Sequence, residues 1–239
     1  MPSDTIKRLE LPNAQVAKLG RKVEHDPRSK DYPFARLLPR KLTLKTILHR
    51  HDGPVLDQGN VGACTGYSGA DIMNYSKYAV GRKRAKQSRD YLFGPDAMGL
   101  YRRATILDGF PGSYPPDDTG SSGLAVAKAM IEHGYITSYR WIFSPEELQQ
   151  ALMVTPVMAG TWWFSDMFNP VGRLAKVTPT GDKVGGHEYT IFGQNFTGKY
   201  YTCLNHWGPN WGARGIFRVS FDDMHALLKD DGDVVVPVV

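Results

Sequence analysis

Near residue 156 the apolar pattern of the chain changes its period. Upstream, apolar residues recur at helical spacing; downstream, Pro156 to Phe164, His187 to Gly193, Lys199 to Asn205 and Gly215 to Ser220 form short β-branched or aromatic runs punctuated by glycine. Helices first and strands second specify an α+β fold with segregated lobes, because an alternating parallel fold would interleave the two patterns. With 239 residues, 41% of them hydrophobic, the chain can bury one large core or two smaller ones.

The helical half can be read in more detail. Cys64, Tyr67, Ile72, Tyr75, Tyr78 and Ala79 share one face of a helix that begins near Ala63, places Cys64 at its start and ends before Gly81. A second helix is expected over 90–104, a loop over 108–120 and a third helix over 123–133, stopped by Gly134. Ser144-Pro145-Glu146-Glu147 starts a fourth, with a capping hydroxyl, a proline at the first helical position and acids where the helix dipole favours them.

Residues 1–50 form a separate basic arm. They hold 12 Lys and Arg against 5 Asp and Glu, and Pro12, Pro27, Pro33 and Pro39 break any long element. Scattered among prolines and without a recognition motif, these charges read as a solvated segment, so no nucleic acid is expected as a partner. The run Arg82, Lys83, Arg84, Lys86 and Arg89 reads in the same way, as a solvated loop. No apolar stretch approaches the roughly 20 residues that would span a bilayer, and no signal segment is visible, so neither a membrane partner nor signal-directed export is expected, which leaves release by lysis or an escort open for a phage protein. Two cysteines exclude a disulfide-stapled scaffold and suit a reducing, cytoplasmic setting. No metal cluster or phosphate-cradling loop is present, so no cofactor is expected; a monomer is the default.

Three segments carry chemistry. In Gln58-Gly59-Asn60-Val61-Gly62-Ala63-Cys64, a thiol at a helix start has its thiolate favoured by unpaired amides and the dipole, and Gln58 can place a side-chain amide beside the Cys64 N–H as an oxyanion donor. Gly185-Gly186-His187 puts a histidine at the mouth of a strand behind glycines that admit another backbone, the place for a general base. Asn205-His206-Trp207-Gly208-Pro209-Asn210-Trp211-Gly212 offers an asparagine to orient that base and a tryptophan to shield the bond.

In this chain order the segments resemble the papain-like cysteine peptidases, over roughly residues 50–222. Asn205, Trp207, Gly208, Trp211, Gly212 and Gly215 all fall on the most specific of the family's motifs, and Asp118 to Ser122 and Leu19 to Phe34 resemble its bacterial and phage members. The resemblance implies a two-lobed fold: a helical lobe over about 51–140, an antiparallel sheet or barrel over about 141–239, and a cleft between them. It implies Cys64 as nucleophile, His187 as its base, Asn205 as orienter and Gln58 as oxyanion donor. A peptide or protein substrate would lie extended beside Gly120, Ser121, Gly186 and Trp207.

Four positions depart from the pattern: Val61 replaces a disulfide cysteine, Thr65 an aromatic, Glu188 a small residue and His206 a serine. Glu188 would favour a charged His187 if it points inward and do nothing if it faces solvent. His206 is expected on the surface or cleft wall and Cys203 in the core. Trp162, Trp163 and Phe164 are read first as core and second as a pocket wall. The arm is shorter than the family's inhibitory propeptides and is expected to be permanent; the alternative is that its extreme end reaches the cleft and gates access until trimmed. The same trio would also serve a cell-wall amide hydrolase or an acyl transferase, and the fold could carry a silent peptide-binding module.

Overall fold

The computed structural model describes residues 19–39, 42–86 and 89–239. Helix α1 (Cys64–Met73) opens at the expected residue and is buried along its whole length. It stops sooner than its pattern suggests. Asn74 leaves the helix and spends its side chain on Leu92, accepting from the Leu92 amide at 2.8 Å and donating to the Leu92 carbonyl at 2.9 Å. After this break α2 (Ala79–Arg84) runs straight through Gly81, where a side chain would collide with the Tyr135 carbonyl. Arg82 is likewise not solvated: it is buried and donates to the carbonyls of Met73 and Tyr75 at the end of α1. Lys83, Arg84, Lys86 and Arg89 are exposed, as expected.

Helix α3 (Gly94–Leu107) starts later than residue 90 because Asp96 caps it, its carboxylate accepting from the Phe93 amide at 2.8 Å. Helix α4 (Gly123–Glu132) is capped by Ser122, and α5 (Pro145–Leu152) by Ser144 with Glu147 reaching back to the Phe143 amide at 2.8 Å.

The strands are β1 (Ile47–Leu48), β2 (Ser138–Trp141), β3 (Val157–Phe164), β4 (Lys183–Asn195), β5 (Tyr200–Leu204), β6 (Ile216–Ser220) and β7 (Asp233–Val238). They form one antiparallel sheet in the order β2-β7-β3-β4-β5-β6, with β1 paired to β4. Of the two forms expected, the described sheet is the open one, with β2 and β6 at its ends. The sequence reading passed over β7 and the preceding helix α6 (Phe221–Lys229), although Ser220, which accepts from the Asp223 amide at 3.0 Å, is a legible cap. β7 lies inside the sheet, which is why Val234, Val235 and Val236 are all apolar rather than alternating.

Two apolar cores flank this sheet. Met158, Phe192, Leu204 and Val235 join the core built by α1, α3 and α4, whereas Val157, Ala159, Ile191, Cys203, Val234 and Val236 join the other with α5 and α6. Neighbours along a strand go to opposite cores, as the pleat demands. Trp163 lies at the centre of the second core, in contact distance of Trp207, Trp211 and Phe217, so its core reading holds. No described helix is long and apolar enough to cross a membrane.

One buried group works against stability. Both carboxyl oxygens of Asp71, deep in α1, lack a hydrogen-bond partner among the described residues, and burial pushes its pKa well above the usual range. The folded state therefore holds a proton that the unfolded chain releases above about pH 4. Stability from this site is present below that pH and declines as pH rises. Asp71→Leu is expected to raise unfolding free energy by about 1–3 kcal/mol at pH 7, with a smaller gain at pH 4; urea unfolding at the two pH values checks both.

Candidate active site

Cys64 is the first residue of α1, and the preceding Ala63 makes no side-chain cap, so the helix's first amides remain available near the sulfur. The loop before it is tied down on two sides. Toward the sheet, Gln58 N donates to His206 O at 2.9 Å and Gly208 N to Leu56 O at 3.0 Å. Toward the helices, Gly62 N donates to both oxygens of Asp118 at 3.0 Å, Tyr101 Oη donates to Asp118 at 2.7 Å, and Gly120 N donates to Tyr101 Oη at 2.9 Å. Asp118 and Tyr101 thus couple the Cys64 loop to the loop carrying Gly120 and Ser121.

On the sheet side, β4 carries His187 and the end of β5 carries Asn205 beside it. Asn205 Oδ1 accepts from the His206 amide at 2.9 Å, which fixes that atom as the oxygen, and lies 2.8 Å from His187 Nε2. The ring proton consequently sits on Nε2. His187 Nδ1 has no hydrogen-bond partner among the described residues. The Trp207 and Trp163 rings lie 4.7 and 4.9 Å from the imidazole, centre to centre, and keep water from the His187–Asn205 bond. The amide of Glu188, next to His187, points at the Cys64 sulfur, which brings the thiol to the histidine strand.

His206 is not on the surface: it is completely buried, with Nδ1 2.6 Å from Gln58 Oε1 and Nε2 2.7 Å from Glu188 O. Gln58 Oε1 also accepts from Trp207 Nε1 at 3.2 Å, while Gln58 Nε2 donates to Val61 O at 2.7 Å. His206 and Trp207 therefore grip the oxygen of the Gln58 amide and set which way its nitrogen points. Burial takes the His206 pKa down to about 4, although both nitrogens face acceptors that favour the doubly protonated ring.

Glu188 follows neither of the two expectations. It is fully buried, yet strand alternation turns it to the face opposite His187, toward Gly123 and Asp233. Burial first, and then the nearby Asp233 carboxylate, hold its pKa well above the ordinary value.

The cleft is occupied by the protein's own arm. Ser121 N donates to Gly20 O at 2.8 Å, Lys22 N to Ser121 O at 2.7 Å, and Arg21 N to Gly186 O at 3.0 Å, in a parallel pairing of Arg21 with Ser121. Gly120 and Gly186 have to be glycine here, because a side chain at either would run into the Gly20 or Arg21 carbonyl. Three of the four residues expected to meet a substrate thus touch an extended segment; Trp207 packs on His187 and Gln58 instead. The expectations for residues 1–18 lie outside the described residues. The arm seals Cys64. Cys64 has no exposed surface, and burial, followed by the charge of Glu188, pushes its thiol up to about 12 against the opposing amides of Glu188, Gly20 and Thr65. Burial and His206 hold His187 well below the ordinary imidazole value.

Sequence reasoning missed Arg21, Asp118, Tyr101 and Asp233. Asp118 and Arg21 left a signal, since they lie in the Asp118 to Ser122 and Leu19 to Phe34 stretches already singled out; Tyr101 acts on Asp118 and Gly120, 17 and 19 positions away, and Asp233 on Arg21, 212 positions away. Cys203 is buried, as expected, and is free.

No family model matches the chain. Among solved structures, xylellain, a cysteine protease from Xylella fastidiosa, superposes with a TM-score of 0.70 at 17% identity, over 97% of this chain and 100% of that one. Procathepsin B S9 from Trypanosoma congolense matches with a TM-score of 0.52 at 12% identity, over 92% and 86%. The bromelain protease of Ananas comosus, solved with the E64 inhibitor, matches with a TM-score of 0.50 at 15% identity, over 82% and 100%. The six helices and open antiparallel sheet described above are those of the papain-like cysteine protease fold.

Proposed function

We propose that the chain is a cysteine peptidase held latent by its own arm. The observation that carries this reading is an extended peptide segment, residues 19–22, hydrogen-bonded to both rims of a cleft whose floor holds Cys64 and whose wall holds the His187–Asn205 pair. The arm supports this reading, since it lies in the cleft as a peptide backbone in strand-like pairing. Its pairing with Ser121 is parallel, and it sets the Gly20 amide near the Cys64 sulfur.

Once the arm leaves, water reaches the thiol and the imidazole, and the desolvation that keeps both neutral is relieved. Cys64 as thiolate attacks a peptide carbonyl; its own N–H and the Gln58 amide receive the oxyanion. His187 gives its Nδ1 proton to the leaving amine, and water, deprotonated by the same nitrogen, hydrolyses the thioester. Asn205 holds the tautomer throughout. The two cysteines are free, the form that a cytoplasmic, reducing compartment keeps.

An epoxide probe of papain-like enzymes, read by intact mass on the wild type, Cys64→Ala and Cys203→Ala, tests the reading. A single adduct lost only in Cys64→Ala, together with cleavage of a peptide library, is expected. Labelling with cleavage of amides other than peptides would move the activity to a related hydrolase, and no labelling at any stage of arm removal would sink the enzyme reading.

A further inference from the structure

The Arg21 side chain leaves the cleft through a pocket that is acidic and made by the sheet register. In the antiparallel ladder Gly160 on β3 stands opposite Glu188 on β4 and opposite Asp233 on β7, so two carboxyl side chains on one face flank a position with no side chain. Gly123, at the start of α4, closes the pocket from the helical side: a Cβ there would lie 3.0 Å from Glu188 Oε1 and 3.4 Å from Asp233 Oδ1. A Cβ on Gly160 would lie 2.6 Å from Arg21 Nε. The absence of both side chains leaves the space that the guanidinium fills.

Arg21 is wholly buried there, its Nη2 donating to Asp233 Oδ2 at 2.5 Å and to Asp231 O at 2.7 Å. The pocket holds more acceptors than Arg21 engages. Asp233 Oδ1 and both oxygens of Glu188 are buried without a hydrogen-bond partner among the described residues, as are Arg21 Nε and Nη1. A guanidinium presents five N–H donors in a rigid plane and matches such a set of carboxylates, whereas an apolar side chain would leave two buried acids unanswered. The pocket opens onto the cleft where Arg21 N meets Gly186 O, which is the level at which a bound peptide would pass.

Building on the peptidase reading, we infer that this pocket is the enzyme's specificity site, taking an arginine side chain of the substrate, and that Arg21 is the internal mimic that blocks it. Glu188 and Asp233 are the residues that select, and Gly123 and Gly160 are what make room. Substrates are therefore peptides with arginine at the residue that reaches this pocket.

The test uses full-length Arg21→Ala, with Arg21→Met as a second variant that keeps the apolar stem. At ligand concentrations about ten times the Kd, N-acetyl-arginine amide is expected to raise the melting temperature of either variant by about 2 °C or more. N-acetyl-norleucine amide should not, and adding Asp233→Asn should abolish the rise. In a positional peptide library, cleavage by Arg21→Ala should favour arginine over norleucine at one position by about tenfold or more, with Asp233→Asn collapsing that ratio. Equal stabilisation by the two amides, or cleavage without an arginine preference, overturns the inference. Stabilisation by the arginine amide with no cleavage of any peptide upholds the pocket and overturns the peptidase reading instead.

Discussion

At pH 7 the Cys64 thiol of the full-length protein is expected to react with iodoacetamide about a thousandfold more slowly than an exposed cysteine. Burial beneath the arm pushes its pKa to about 12, so the thiol stays neutral and the reactive thiolate is depleted by the three or so units that separate it from an ordinary cysteine. The sign follows from the charge type: an acid whose pKa is raised is protonated at every pH below the new value, so the rate should keep climbing with pH up to the limit of folding. Arg21→Ala removes the arm's buried anchor and leaves Asp233 and Glu188 without a cation, which favours an undocked arm and a hydrated pocket. In that variant water and the first amides of α1 again favour the thiolate, and the rate should rise by two to three orders of magnitude and level off near neutral pH. Intact-mass kinetics in a Cys203→Ala background isolate the one thiol. Equal rates in the two proteins would remove the arm from any role in latency.

His187→Ala, assayed in the same arm-released background, should lower kcat/KM for peptide hydrolysis by about 10² to 10⁴, the range that a positioned acid–base group contributes. KM should change little, because no described arm residue makes a hydrogen bond to the ring. Asn205→Ala should have a smaller effect of the same kind. It removes the acceptor at Nε2, so the imidazole can turn or take the wrong tautomer, while Nδ1 remains able to move protons. Addition of exogenous imidazole distinguishes the two roles. It is expected to restore part of the activity of His187→Ala and none of that of Asn205→Ala. A His187→Ala variant of undiminished kcat would transfer the base to another group, and His206, with both nitrogens already engaged, is poorly placed to be it.

Legibility followed the range of the interactions. The starts of α1 at Cys64 and α4 at Gly123 and the Ser144 cap of α5 are set by residues within three or four positions of each other, and the sequence reading placed them correctly. The break after Met73 was invisible, because Asn74 makes its bonds to Leu92, eighteen residues away. Strand β7 was passed over because a strand covered on both faces carries no alternation to read. At the site, the chain order of Gln58, Cys64, His187 and Asn205 was legible as a motif. That His206 would turn inward to hold Gln58 was not, since a histidine's burial depends on acceptors 18 and 148 residues away.

By itself, then, the sequence determined the class of fold, the helix that presents the thiol and the four groups of the candidate site. These are written in periodicity, caps and short motifs, which are local. Tertiary structure alone decided the state of that site and the chemistry of its pocket. Where the arm would lie depended on the Ser121 amide and carbonyl and the Gly186 carbonyl, groups that any sequence carries, and the acidic pocket depended on a strand register that sets Asp233 and Glu188 on either side of Gly160. Backbone pairing and register leave little mark on composition, yet here they bury the thiol and shape the pocket beside it.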